Sequence, residues 1–95
     1  MKVIIINEEN HGFIGVATTP KAAMQFLVNR GWLDLGTEFY DEETEAWYEL
    51  RHIFESMGIE PTLDNIVDWG VSKFDDWRLW DGLFYFSECN VYEEN

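Results

Sequence analysis

The sequence predicts an α+β fold, a small antiparallel three-stranded sheet with three helices in the order ββαααβ. Three observations lead there. The chain opens on a β-branched run, Val3-Ile4-Ile5-Ile6, and ends on an aromatic one, Leu83-Phe84-Tyr85-Phe86, both suited to strands. Between them stand two helix-start signals, Thr19-Pro20 and Pro61-Thr62, and a stretch of helical period that stops at Gly58. Finally, 95 residues at 46% apolar and 17% aromatic are enough for one core and too few for two. Residues 1–95 therefore read as a single domain.

Taken in order, Lys2 to Asn7 is apolar on both faces, the pattern of a central strand. Glu8-Glu9-Asn10-His11-Gly12 turns the chain, and Phe13 to Ala17 returns as the hairpin partner. Thr19 caps the first helix, with Pro20 at its first position, Ala23, Phe26, Leu27 and Arg30 on one face, and Gly31 at its end. Trp32 to Tyr40 has no sustained period and reads as a loop. From about Asp41 to Met57, the residues Ala46, Leu50, Ile53, Phe54 and Met57 fall at helical spacing and predict an amphipathic helix. Thr62 caps a third helix whose inner side would carry Leu63, Ile66, Val67, Phe74 and Trp77. After a turn at Trp80-Asp81-Gly82, Leu83 to Tyr92 predicts a last strand that pairs with the first. The tail Glu93-Glu94-Asn95 is expected to fray.

Nineteen Asp and Glu face six Lys and Arg, a formal charge of −13. Such a field repels nucleic acid and anionic lipid and steers the protein towards basic surfaces on other proteins. No segment approaches the roughly 20 apolar residues that span a bilayer, and the opening apolar run is too short for a secretion signal. A cytoplasmic protein is expected. Cys89 is the only cysteine, so no intrachain disulfide forms and no multi-cysteine zinc site exists. In a strand it is expected to be buried or half-buried.

The motifs of chemistry are weak. Glu8 to His11 and Glu49 to His52 both have the Glu-x-x-His spacing of di-iron helices, but the first lies in a hairpin turn. Gly12-Phe13-Ile14-Gly15 opens no helix at the position a phosphate needs. The acid-rich 34–45 stretch lacks the ordered ligands of a calcium loop. No catalytic residue, metal or cofactor is assigned, and the chain is not expected to be an enzyme.

The acids gain meaning once placed on helices. Glu42, Glu45 and Glu49, extended by Glu38, would form one ridge opposite Ala46 and Leu50, with no Lys or Arg to answer them. Asp64, Asp68 and Asp75 would share a face of the next helix, with Asp76 beside it. Like charges at that spacing cost a few tenths of a kcal/mol per pair, and their 5 to 6 Å separation approaches that of neighbouring phosphates. Trp47 and Tyr48 flank the first ridge, while Trp69 and Trp80 lie off the core stripe. Trp47, Tyr48 and Trp69 are the expected interface anchors.

In size, charge excess and segments such as Asp41-Glu42-Glu43-Thr44-Glu45 and Phe74-Asp75-Asp76-Trp77, the chain resembles small acidic proteins of phages and mobile elements that block host nucleases. These include anti-CRISPR and anti-restriction proteins that imitate DNA. The resemblance implies a stoichiometric inhibitor in a bacterial host, seated on a Lys- and Arg-rich nucleic-acid site of an enzyme such as a CRISPR effector. Two other readings use the same features. One is an immunity or antitoxin protein that neutralises a basic toxin; the other is a small phage structural protein that self-associates through a strand edge or a Trp patch.

Overall fold

A computed structural model describes residues 1–92; the tail Glu93-Glu94-Asn95, expected to fray, lies outside the described residues. The β-branched opening run forms β1 (Lys2–Glu8), which turns into β2 (Gly12–Ala17). The aromatic run near the end forms β5 (Phe84–Asn90). The three make one antiparallel sheet in the order β2-β1-β5. The first strand is central and pairs with the last, Lys2 opposite Asn90 and Glu8 opposite Phe84, as its two apolar faces predict. A register shift between Ile6 and Asn7 bulges the hairpin and adds local twist.

One helix packs directly on β1 and β2, and a second packs on that helix in turn. In α1 (Pro20–Asn29) the Thr19 hydroxyl accepts from Ala22 N at 3.0 Å, and in α3 (Leu63–Ser72) the Thr62 hydroxyl accepts from Asn65 N at 3.1 Å. Each satisfies a backbone donor that the first helical turn would leave open. The α+β class, the three-stranded antiparallel sheet and three helices of at least two turns stand as the sequence predicts.

The interior differs in two places. Between α1 and the middle helix the chain forms a second hairpin, β3 (Glu38–Asp41) and β4 (Ala46–Glu49), and α2 is only Leu50–Met57. The helix expected from Asp41 therefore loses its first half. Three local choices set the turn: the Asp41 carboxylate accepts from Glu43 N at 2.9 Å, Glu45 takes a positive φ of 53°, and the Tyr48 hydroxyl donates to Thr44 Oγ1 at 3.0 Å. Short polar side chains that bond nearby backbone compete with a helix, and Phe39-Tyr40 and Trp47-Tyr48 favour strands.

The third helix is also shorter than expected. It ends at Ser72, whose hydroxyl donates to Trp69 O at 2.6 Å. The chain then restarts as α4 (Trp77–Trp80), capped by Asp76, whose carboxylate accepts from Leu79 N at 3.3 Å. Phe74 and Trp77 thus leave the inner side of α3. Phe74 stacks near Phe86 with centroids 4.8 Å apart, Trp77 is exposed, and Leu63 also faces solvent.

One contiguous core joins every element but β4: Ile4 and Ile6, Ala17, Met24 and Leu27, Phe39, Leu50 and Phe54, Ile66 and Trp69, Trp80 and Phe84. Two glycines let it close. A Cβ at Gly15 would come within 2.6 Å of the Phe26 ring, and one at Gly70 within 2.5 Å of the Met24 sulfur, so strand and helix each approach α1 more closely than any larger residue allows. The other face of the sheet carries Phe13, Val16, Tyr85 and Cys89, all exposed. Cys89 is not the half-buried residue expected, because β5 is an edge strand and no helix crosses that face near it. Among the described residues no helix is long and apolar enough to cross a membrane.

Candidate functional site

The second hairpin rearranges the expected acidic ridge. Cα register places Glu38 directly opposite Glu49, Phe39 opposite Tyr48, Tyr40 opposite Trp47 and Asp41 opposite Ala46. Strand alternation then sorts the side chains. Phe39 enters the core, with Asp41 and Tyr48 on its side. Glu38, Tyr40, Trp47 and Glu49 share the other face. Trp47 is 59% exposed and lies against Tyr40 with ring centroids 5.3 Å apart. Glu42 and Glu45 sit in the turn. The four glutamates are thus gathered on one hairpin, and no helical ridge of them exists.

Two clefts flank α4. The larger, about 720 Å³, runs between the hairpin, α2 and α4 and is lined by Phe39, Tyr40, Asp41, Glu42, Tyr48, His52, Ile53, Ser56, Asp76, Arg78 and Leu79. The smaller, about 270 Å³, lies between α4 and β5 and is lined by Ile4, Phe74, Asp75, Trp77, Trp80, Asp81, Phe84, Tyr85, Phe86 and Glu88. The chain therefore brings Glu42, Tyr48 and Asp76 to one cleft and Asp75 to the next. Asp64 and Asp68 remain exposed on α3 and line neither.

Trp69 is corrected outright. It is 6% exposed, with its ring edge-on to Phe39, Phe54 and Trp80, and anchors the core instead of a partner. Its Nε1–H is the buried side-chain donor that finds no acceptor among the described residues. Trp80 is likewise core, 1% exposed, and donates from Nε1 to Lys73 O at 2.8 Å. Trp69 lies off the stripe expected for a longer helix, and the sequence places Trp80 in a turn where the structure has α4. Conversely, Tyr40, His52, Arg78, Trp77 and Tyr85 enter the clefts unforeseen. Only the alternation around Phe39-Tyr40 carried a signal for them.

Some acids have structural work. Glu8 accepts from Asn10 N, His11 N and His11 Nδ1, and the His11 bond leads the causes that hold its carboxyl below the usual range. Glu9 accepts from the Tyr85 hydroxyl, which pushes that phenol above its ordinary value. Asp34 accepts from Gly36 N. Glu49 pairs with Arg51 at 2.9 Å and Glu88 with Lys2 at 4.0 Å.

No such partner holds Glu38, Glu42, Glu43, Glu45, Glu55, Glu60, Asp64, Asp68, Asp75 or Asp81 through their carboxylates among the described residues. Arg78 and Arg30 lie instead over aromatic rings, 5.5 Å from Trp77 and 5.6 Å from Phe26. The surface charge is therefore left almost wholly uncompensated.

The chain matches no protein-family model, no curated protein and no solved structure. Function must come from this geometry alone. Glu38 provides a direct check that the acids are held against stability. Two like charges directly opposite on paired strands are destabilising. Glu38→Lys would face Glu49 with the opposite charge and is expected to stabilise the fold by about 0.5 kcal/mol, raising Tm by about 2 to 4 °C. A lowered Tm would show that Glu38 supports the hairpin.

Proposed function

We propose that the chain is an acidic binding protein that docks on the basic nucleic-acid-binding site of another protein and excludes nucleic acid from it. The partner class suggested by its resemblance is a host defence nuclease, such as a CRISPR effector. The observation that supports this reading is the set of carboxylates without cationic partners, held on defined hairpin, helix and turn positions. The chain carries a net charge of −13, and a surface field of that sign and size draws it towards the Lys- and Arg-rich clefts that hold nucleic-acid phosphates. The docking face is the turn of the β3–β4 hairpin and the acids that flank α4, Asp75, Asp76 and Asp81, with Trp47 and Tyr40 as its aromatic anchors, in place of a continuous helical ridge.

The test is capture by the full tagged chain from bacterial lysate, with duplex DNA as competitor. A nucleic-acid-binding enzyme should be retained at about 50 mM salt, displaced by the DNA, and held at least tenfold less at about 500 mM, where the Debye length falls to a few ångströms. Glu42→Lys combined with Glu43→Lys should abolish that capture while the circular dichroism stays unchanged. Capture that ignores both DNA and salt would sink the proposal.

A further inference from the structure

The smaller cleft differs from the larger in one chemical respect: it has carboxylates and no cation in its lining. Asp75, Asp81 and Glu88 stand around it, and Trp77, Trp80, Phe84 and Phe86 supply aromatic walls. Trp77 is 68% exposed, so its ring is open to a ligand, whereas Trp80 forms the floor at 1%. The Asp75 and Asp81 carboxylates have no hydrogen bond or ion pair among the described residues, and the Glu88 carboxylate has only the loose contact with Lys2, in which both side chains are more than 70% exposed.

The carboxylates do not converge on a point. Among the described residues no three His, Cys, Asp or Glu side chains are placed to hold one metal ion. The charge is spread around an aromatic-lined space, which suits a planar, delocalised cation on an apolar stem. Arginine is that side chain: its guanidinium stacks on aromatic faces, sheds water more readily than an ammonium, and offers five donors to separated acceptors. Arg78 already shows the Trp77 indole within cation-π range of a guanidinium, 5.5 Å from the ring centroid.

We propose that the cleft between α4 and β5 is an acceptor site for an arginine side chain of the partner protein. The proposal rests on the reading of the chain as a docking protein for basic surfaces and names the residue this part of it would grip. Acids at Asp75, Asp81 and Glu88 supply the charge complementarity, and Trp77 supplies the stacking face.

The probe is a capped Gly-Arg-Gly peptide added to the full ¹⁵N-labelled chain at low salt, beside its neutral citrulline counterpart. The Trp77 indole resonance, assigned through Trp77→Phe, should shift saturably with the arginine peptide. Binding of the citrulline peptide should be about tenfold weaker, as expected when the planar group loses its charge and with it the cation-π attraction and the charge-assisted hydrogen bonds. Asp75→Asn with Asp81→Asn should weaken the arginine peptide by a similar factor. Should that pair perturb the fold, Glu88→Gln on the exposed strand should weaken it about threefold by removing one charge. Equal binding of the two peptides, or shifts confined to Trp47, would overturn the arginine site.

Failure of this site and of the docking function give different results. DNA-competed capture of a partner by a chain that ignores the arginine peptide leaves the docking reading standing and removes the site. Selective binding of the arginine peptide without capture of any nucleic-acid-binding protein supports the site and removes the docking reading.

Discussion

Trp80→Ala is expected to lower Tm by about 15 to 30 °C, following a loss of about 3 to 5 kcal/mol for truncating a buried aromatic in a domain of this size. Trp80 is 1% exposed and touches four rings at once, with centroids 5.7 Å from Phe39, 5.9 Å from Trp69, 6.2 Å from Phe84 and 5.7 Å from Phe86. It therefore joins β3, α3 and β5, which make few backbone contacts with one another. Its Nε1–H also holds Lys73 O, fixing the turn between α3 and α4. Domains of this kind have about 5 to 15 kcal/mol in total, so the variant should be near the edge of folding at 37 °C. Thermal unfolding followed by far-ultraviolet circular dichroism measures it. A fall of under about 5 °C would mean that the neighbouring rings collapse into the space.

Gly70→Val is expected to cost about 2 to 3 kcal/mol, the usual range for overpacking a well-filled core. Gly70 lies in the last turn of α3, and glycine ordinarily weakens a helix by up to about 1 kcal/mol against alanine. That cost is accepted because the ideal Cβ would stand 2.5 Å from the Met24 sulfur and 2.9 Å from its Cγ. Met24 is fully buried, so its side chain has no free space to move into. The double variant with Met24→Ala separates the cause from the symptom. If the clash is with Met24, the two changes together should cost at least 1 kcal/mol less than the sum of the singles. Additive losses would place the strain elsewhere in α3. Urea unfolding of the four proteins gives the cycle.

What was legible in the sequence was whatever a single local rule governs. The caps at Thr19 and Thr62, the apolar β1 and its pairing with β5 all follow from residues whose preference agrees with their tertiary surroundings. The second hairpin was not legible because two periods compete over Ala46-Trp47-Tyr48-Glu49. Helical spacing from Ala46 to Met57 is continuous, and it is the turn chemistry of Asp41, Thr44 and Glu45, together with the pull of Phe39 into the core, that selects strands. The hairpin and the early end of α3 then moved several site assignments, although Asp64 and Asp68 stay exposed on α3. Glu38 and Glu49 became cross-strand neighbours, Trp69 and Trp80 became core, and Asp75 and Asp76 separated into two clefts. The excess of negative charge survived because it depends on composition and not on register.

Tying the first strand to the last has a consequence in time. Lys2 pairs with Asn90 across nearly the whole chain, so the central strand has one neighbour until residues 84–90 have left the ribosome. Ile4 and Ile6 meanwhile lack Phe84 and Phe86 beside them. Pairings of such long sequence separation form slowly, because their loop must be closed before any contact repays it. The dense negative charge that burdens the finished fold keeps those waiting chains apart.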